Sequence, residues 1–395
     1  MQIHKISIQN FRSIREATLQ LGRFTVLTGA NNSGKSSVLY ALQVLKNVVT
    51  NPNRSVDEML NLGFLNLGGL ENSLFRRDVN LSIRLGIVAE AEVEGHYLRS
   101  GYELAMGSKE NSLSISLMEP KKENATLKLS FPYSGNKKVA FGNRDYEWNG
   151  LRVSTFFIEP IGFEDTEKGA ELPVTSLIQT DVVPTYRGFS KSVFNTTPLN
   201  GRIYTEDEVA TLLAIDKDVQ AKVAHYFEKI TGKRFSISMT PGMGFFYLQV
   251  REPNSIHATE LVNQCMGMNQ IVFLLAKILY DKNRLICVDE PEIHLHPTLM
   301  EQFIRVLVEI AEKEDKQFLF STHSEHWLMS LLAEVYEEHL AADDLKVYYL
   351  QKNEGETAVE QQEVMPNGQI KGGLKNFLEA EMRLAHRFFP VETTA

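Results

Sequence analysis

Apolar and polar residues alternate along Ile3–Ile8 and again along Ala17–Leu21, the period of half-buried strands. The reading therefore predicts strands over residues 2–9 and 17–28. Phe24–Thr28 breaks the alternation with a continuous apolar run, as a parallel strand buried on both faces does. Gly29–Gly34 ends it. From Lys35 the period lengthens, and Val38, Leu39, Leu42, Leu45, Val48 and Val49 share one helical stripe until Asn51-Pro52-Asn53 stops it. Residues 56–76 are rich in Gly and Leu and read as a loop with short turns. From about 79 to 158, short alternating runs separated by polar turns predict hairpin-linked antiparallel strands. Residues 160–203 carry Pro, Gly and Thr with little periodicity and read as an irregular insertion.

Helical spacing returns over 206–230. Residues 234–250 read as a hairpin around Pro241-Gly242, and 259–281 as a helix. Leu285–Val288, Phe318–Phe320 and Lys346–Leu350 are short buried-type strands, separated by helices over 298–313 and 325–338. A further strand is expected over about 357–364 and a helix over about 374–389. Parallel-type strands alternating with helices at both ends of the chain indicate an α/β fold, with a β-rich and helical middle region inserted. The expected division is 1–78, 79–255, 256–350 and a tail at 351–395.

Length and composition narrow the class. The 395 residues are enough for two domains or one with a large insertion. The 43% hydrophobic and 23% charged residues are those of a globular protein with a sizeable core. No apolar run approaches the roughly 18 residues of a membrane span, and the N-terminus lacks a secretory pattern, so a cytoplasmic location is expected. Two cysteines, Cys265 and Cys287, exclude a disulfide scaffold and fit a reducing compartment. A net charge of −9 argues against wholesale polyanion binding while leaving room for a local basic patch.

The most specific chemistry lies between the apolar strand and the first helix. Gly29-Ala30-Asn31-Asn32-Ser33-Gly34-Lys35-Ser36, followed by Ser37, has the spacing G-x-x-x-x-G-K-[ST] in strand–loop–helix context. Small residues let the backbone close around phosphate oxygens, and the helix N-terminus turns N–H groups and its positive dipole end toward the anion. Lys35 adds a point charge for β- and γ-phosphates, and the Ser36 hydroxyl can ligate Mg²⁺.

A second strand, Leu285–Val288, ends in Asp289-Glu290. Ligands of parallel sheets bind at the strands' carboxyl ends. Asp289 is placed there for Mg²⁺, and Glu290 to polarise water or accept its proton. His294 and His296 follow, but an i, i+2 pair without cysteine falls short of a zinc ligand set and reads as turn-shaping. A third strand ends at Ser321-Thr322-His323, where His323 could donate to a γ-phosphate.

These three stations, in this order, resemble an ABC-type ATPase head. Ile8–Ile14 (IQNFRSI) resembles the start of SMC, RecF and OLD-like heads. Asp289-Glu290-Pro291-Glu292 with His294-Leu295-His296-Pro297 is closer to the OLD-like, AAA15-type ATPases, as is Pro184-Thr185-Tyr186-Arg187. The resemblance covers residues 1–50 and 259–325. It implies ATP and Mg²⁺ as cofactors, a homo-oligomer with nucleotide sandwiched between heads, and a signature loop. The matching segment is Cys265–Gln270, where Gly267 and Gln270 follow the family pattern while Cys265 and Asn269 depart from it. Asn269 could still donate to phosphate through its amide. No glutamine follows the first helix where a Q-loop would place one; Asn72 is the substitute.

OLD nucleases carry a Toprim domain of on the order of 100 residues after the ATPase. Too few residues follow Ser324 for one, and the tail has no Glu followed by a spaced D-x-D, so no nuclease activity of its own is expected. The resemblance then implies an ATP-dependent switch in anti-phage defence, controlling a separate effector, a nuclease or toxin. The middle region is expected to carry partner contacts through polar loops such as Lys121–Asn124 and Gly135–Lys138. Two alternatives stay open: a RecF-like clamp that binds nucleic acid, and an ATP-sensing scaffold that barely turns over.

Overall fold

The computed structural model describes residues 1–93, 96–117, 125–132, 137–141, 144–151, 153–155, 164–199, 203–239 and 244–373. The expected tail helix at about 374–389, the turn at Pro241-Gly242 and the loop at Lys121–Asn124 lie outside the described residues, as do Gly135 and Asn136.

The central sheet has the order β11-β16-β17-β3-β18-β19 and is built from Phe24–Thr28 (β3), Thr180–Val183 (β11), Leu285–Asp289 (β16), Gln317–Ser321 (β17), Leu345–Asn353 (β18) and Glu356–Gln362 (β19). Its first five strands run parallel, and β19 returns antiparallel to β18. Every residue of β3, β16 and β17 is buried, which explains why these strands read as unbroken apolar runs. Their side chains alternate between two cores. Phe24, Ile286, Val288, Phe318 and Phe320 face one, and Leu27, Leu285, Cys287 and Leu319 face the other.

The first core is closed by Glu206–Ile215 (α5), Lys217–Thr231 (α6), Met266–Leu279 (α7), Pro297–Lys313 (α8) and Glu325–Tyr336 (α9). The second is closed by Lys35–Thr50 (α1) and an antiparallel sheet of order β2-β1-β4-β5-β6-β7. Its strands are Gln2–Phe11 (β1), Ile14–Gln20 (β2), Ser82–Val93 (β4), His96–Gly107 (β5), Asn111–Leu117 (β6) and Ala125–Ser130 (β7). The stretch read as one strand over 17–28 is therefore two strands, β2 and β3, in different sheets. One-turn helices at Val56–Met59 (α2) and Gly69–Ser73 (α3) punctuate the loop between α1 and β4. The helix expected over 259–281 is shorter: a strand at Ala258–Glu260 (β15) and a single turn precede α7.

The reading of 160–203 as irregular is corrected. It contains a helix, Glu164–Ile178 (α4), and the parallel edge strand β11. A small third sheet joins Lys137–Phe141 (β8), Arg144–Trp148 (β9) and Val153–Thr155 (β10), and a fourth joins Phe194–Asn195 (β12), Arg234–Met239 (β13), Phe245–Arg251 (β14) and β15. No helix among the described residues is long and apolar enough to cross a membrane.

Candidate functional site

The carboxyl ends of β3, β16 and β17 lie side by side, so the loops that follow them converge. After β3 the chain passes through Gly29–Gly34 into α1. Gly34 occupies the N-cap with φ 102°, where it offers no side-chain cap, and the first turn holds no acidic residue. The helix's unpaired N–H groups and its dipole are thus left for an anion. Residues 31–37 line a cavity of about 280 Å³, shared with Arg12, Tyr40, Leu65 and Glu290. Lys35 folds over the loop, its ammonium donating to the carbonyls of Gly29 (2.8 Å) and Ala30 (3.0 Å). Burial pulls its pKa down, while Glu290, Asp289 and Glu292 oppose that shift.

The Ser36 hydroxyl donates to Asp289 Oδ1 at 3.0 Å, joining the phosphate-loop helix to the end of β16. Both groups are hard oxygen donors, and Asp289 is buried. Paired oxygens of this kind beside an anion cradle fit the donor set that Mg²⁺ takes. Ser36 and Asp289, predicted from separate motifs, are therefore brought together by the fold.

Glu290 follows in the left-handed region, φ 51°, a conformation uncommon for a residue with a side chain. Two contacts hold it there. Its N–H donates to the Ser321 carbonyl at 2.7 Å, and its carbonyl accepts from Arg187 Nη2 at 2.7 Å. The same guanidinium donates through Nη1 to the Asp289 carbonyl at 2.7 Å and the Pro184 carbonyl at 3.0 Å. Burial lowers the Arg187 pKa to about 10, against the pull of three nearby carboxylates.

The Glu290 carboxylate meets His323 Nδ1, which also lies 3.6 Å from Glu292 Oε1. Glu292 organises the loop that carries His323. Its Oε1 accepts from the Thr322 hydroxyl (2.5 Å) and from the backbone N–H groups of His323 and Ser324 (both 3.2 Å). Partial burial, and then the charge of Glu292, raise the Glu290 pKa to about 7, with His323 pulling the other way. A carboxyl poised near neutrality beside an imidazole suits proton acceptance.

The signature-like residues are placed differently. Gly267 packs so closely that a Cβ would come within 2.6 Å of the His294 carbonyl. Asn269 is buried, and its amide pairs with Phe189 in both directions: Oδ1 accepts from the Phe189 N–H at 2.7 Å, and Nδ2 donates to its carbonyl at 2.8 Å. The expectation that Asn269 offers its amide to phosphate is corrected, because the side chain is buried against the Phe189 backbone, which takes its oxygen and one of its two N–H groups. Asn72 also lies apart from the cavity, its amide donating to the Gly68 carbonyl in its own turn. His296 caps α8, accepting from the Thr298 N–H, and His294 turns the chain at φ 64°. Neither joins the Glu290, Glu292 and His323 group, one of two His/carboxylate clusters among the described residues.

Four residues of the site were not singled out for it by the sequence. Arg12 lies over the Tyr40 ring, 5.2 Å from its centroid, at the cavity edge. Its signal was the Ile8–Ile14 opening. Arg187 had a signal in Pro184–Arg187. Glu292 stood next to the acidic pair, and Tyr40 had none beyond its place on α1.

Similarity to known proteins extends to the family and the fold. The AAA_15 family, described as an AAA ATPase domain, matches residues 1–328. An OLD nuclease of Thermus scotoductus is 23% identical over 339 residues, covering 82% of this chain and 59% of the relative. An Old nuclease of Escherichia phage P2 is 23% identical over 366 residues, covering 82% and 56%. The chain thus spans less than three fifths of the length of these relatives. Among solved structures, an SmcHead bound to the C-winged helix domain of ScpA superposes with a TM-score of 0.50 at 13% identity, covering 91% of this chain and 97% of that one.

Proposed function

The chain belongs to the AAA_15 family, described as an AAA ATPase domain, and from that premise we propose that it is an ATPase of the OLD and SMC-head type working as an ATP-dependent switch. The observation that carries this reading is the junction of the Ser36 hydroxyl with Asp289, beside the contact of Glu290 with His323. It joins a phosphate loop, a hard-cation donor pair and a proton acceptor at one cavity.

In this reading the N–H groups at the start of α1 and the Lys35 ammonium hold the triphosphate. Ser36 and Asp289 would hold Mg²⁺, which when bound neutralises charge on the phosphoryl oxygens. Glu290 orients the attacking water and accepts its proton, and His323 takes part in that proton's position through the shared contact. Two heads close over nucleotide and open after hydrolysis. The state is read by a separate effector, a nuclease or a toxin, in defence against phage. The effector contacts the middle region, about 79–255, or the tail, and its affinity must differ between the closed and open states, since nucleotide can drive the switch in no other way. Gly267 supports the fold of the signature-like segment from within, rather than through Asn269.

The burial of Asn269 favours a second reading, an ATP-sensing scaffold with slow turnover. Single-turnover hydrolysis of Mg-ATP separates the two. Lys35→Ala tests their common premise: calorimetry should show ATP binding lost or sharply weakened, and equal affinity in mutant and wild type would sink the site assignment.

A further inference from the structure

The phosphate loop is held from behind by a residue some 320 positions away in the chain. Thr357 is the second residue of β19, at the edge of the central sheet, and is 3% exposed. Its hydroxyl oxygen lies 2.9 Å from the Ser33 carbonyl and 2.8 Å from the Ser13 hydroxyl, and its N–H donates to the Ser13 carbonyl at 2.7 Å. A threonine hydroxyl has one proton. The Ser33 carbonyl can only accept, so that proton goes to Ser33 and the Ser13 hydroxyl donates in turn to Thr357.

This chain of bonds fixes the direction of one peptide plane. In a trans peptide the C=O of one residue and the N–H of the next point to opposite sides. Holding the Ser33 carbonyl toward β19 therefore turns the Gly34 N–H away from β19, toward the side of the loop that lines the cavity. Gly34 itself must be glycine twice over. Its φ is 102°, and a Cβ would lie 2.4 Å from the Thr357 hydroxyl oxygen. Ser13, the other partner, follows Arg12 in the turn between β1 and β2, so the same hydroxyl also steadies the turn that puts Arg12 at the cavity edge.

We infer that Thr357 is a positioning residue for nucleotide, setting the phosphate loop in its anion-binding shape through the Ser33 carbonyl without touching the ligand. This deepens the ATPase reading and rests on it for its nucleotide half. It also means that the hairpin β18–β19, which follows the sheet strands carrying the chemistry, is mechanically part of the phosphate site.

The test compares Thr357→Val, which keeps the shape and removes the hydroxyl, with Thr357→Ser, which keeps the hydroxyl. Calorimetry with Mg-ATP should show affinity weakened about 3–10-fold in Thr357→Val, the range for one lost neutral hydrogen bond. Thr357→Ser should stay within about twofold of wild type, and kcat at saturating ATP should stay within about twofold in both. Hydrogen exchange of the nucleotide-free protein should rise over residues 29–36 in Thr357→Val alone, with distant segments unchanged. Wild-type affinity and exchange in Thr357→Val would overturn the inference. So would equal losses in both variants accompanied by faster exchange throughout, which would mark plain packing. Should wild type and Lys35→Ala prove alike toward ATP, the ATPase reading falls with the nucleotide half of this inference, and the exchange result still decides whether Thr357 orders the loop.

Discussion

Replacing Glu290 by glutamine should stabilise the protein while stopping its turnover. The side chain's pKa is raised from 4.5 to about 7 in the folded state. Below about pH 4.5 the group is protonated folded and unfolded, and its ionisation has no effect on stability. Between 4.5 and 7 the folded state holds a proton that the unfolded state has released, so stability falls as pH rises through this window. Above 7 the loss is complete. A displacement of that size corresponds to about 3 kcal/mol by linkage, and solvent screening of a half-buried carboxyl reduces it to about 1–2 kcal/mol. Glutamine is neutral at every pH and nearly isosteric, so it escapes the loss. With an unfolding entropy of about 2 cal/mol/K per residue, the variant should melt about 1–3 °C above wild type at pH 8, and level with it near pH 5. The assay is thermal unfolding of the nucleotide-free protein across pH 5–8, paired with single-turnover hydrolysis, which the variant should lack. A melting offset that does not change with pH would refute the argument from burial. Unchanged turnover would remove Glu290 from the proton-accepting role.

Other outcomes follow from the same geometry. With Mg-ATP, Glu290→Gln should bind nucleotide normally and persist as a larger species on sizing, where wild type returns to the smaller one after turnover. Arg187→Lys should destabilise the fold by about 2–3 kcal/mol in denaturant titration, since an ammonium cannot span carbonyls held by a planar fork; it should also lower kcat at least about tenfold, and unchanged kcat would show that the Asp289 and Glu290 carbonyls need no such support. Asn269→Ala should cost about 1–3 kcal/mol of stability by leaving the Phe189 N–H and carbonyl unpaired, and a neutral substitution would contradict the buried pairing. Purified protein incubated with plasmid and Mg²⁺ or Mn²⁺ should show no cleavage; cleavage that copurifies and survives Lys35→Ala would place nuclease chemistry in this chain.

Much of the catalytic edge was legible because it is written in local pattern. β3, β16 and β17 are buried on both faces, so their sequences are continuous apolar runs, and each leads into the residues of the candidate site. The helix after the phosphate loop carries its stripe plainly. What escaped was structure fixed by distant partners. β1 pairs with β4 across the whole phosphate-loop segment, from Gln2 opposite Glu90 to Gln9 opposite Arg84, and nothing local in either strand names the other. The helix α4 was hidden by Pro173 within it, and β11 by having only four residues. Asn269 misled for a similar reason. An amide in a glycine-containing loop looks available in sequence, and only the fold places Phe189 against it. Thr357 had no signal at all, since its partners Ser13 and Ser33 lie more than 300 residues earlier.

The segment from Pro184 to Phe189 explains how the two halves of the proposed switch are joined. Its Arg187 grips the carbonyls of Asp289 and Glu290, and two residues later the Phe189 backbone is gripped by Asn269 in the first turn of α7. Any displacement of α7 would therefore pull on the same short segment that holds Glu290 in its left-handed conformation. The choice of groups suits that task. Arg187 binds backbone carbonyls rather than the carboxylates themselves, so Asp289 remains paired with Ser36 and Glu290 with His323. A guanidinium placed on either carboxylate would hold it more strongly and take it away from metal or water. Backbone attachment transmits position without neutralising charge, so one segment joins the buried helix α7 to β16 while both carboxylates keep their own side-chain partners.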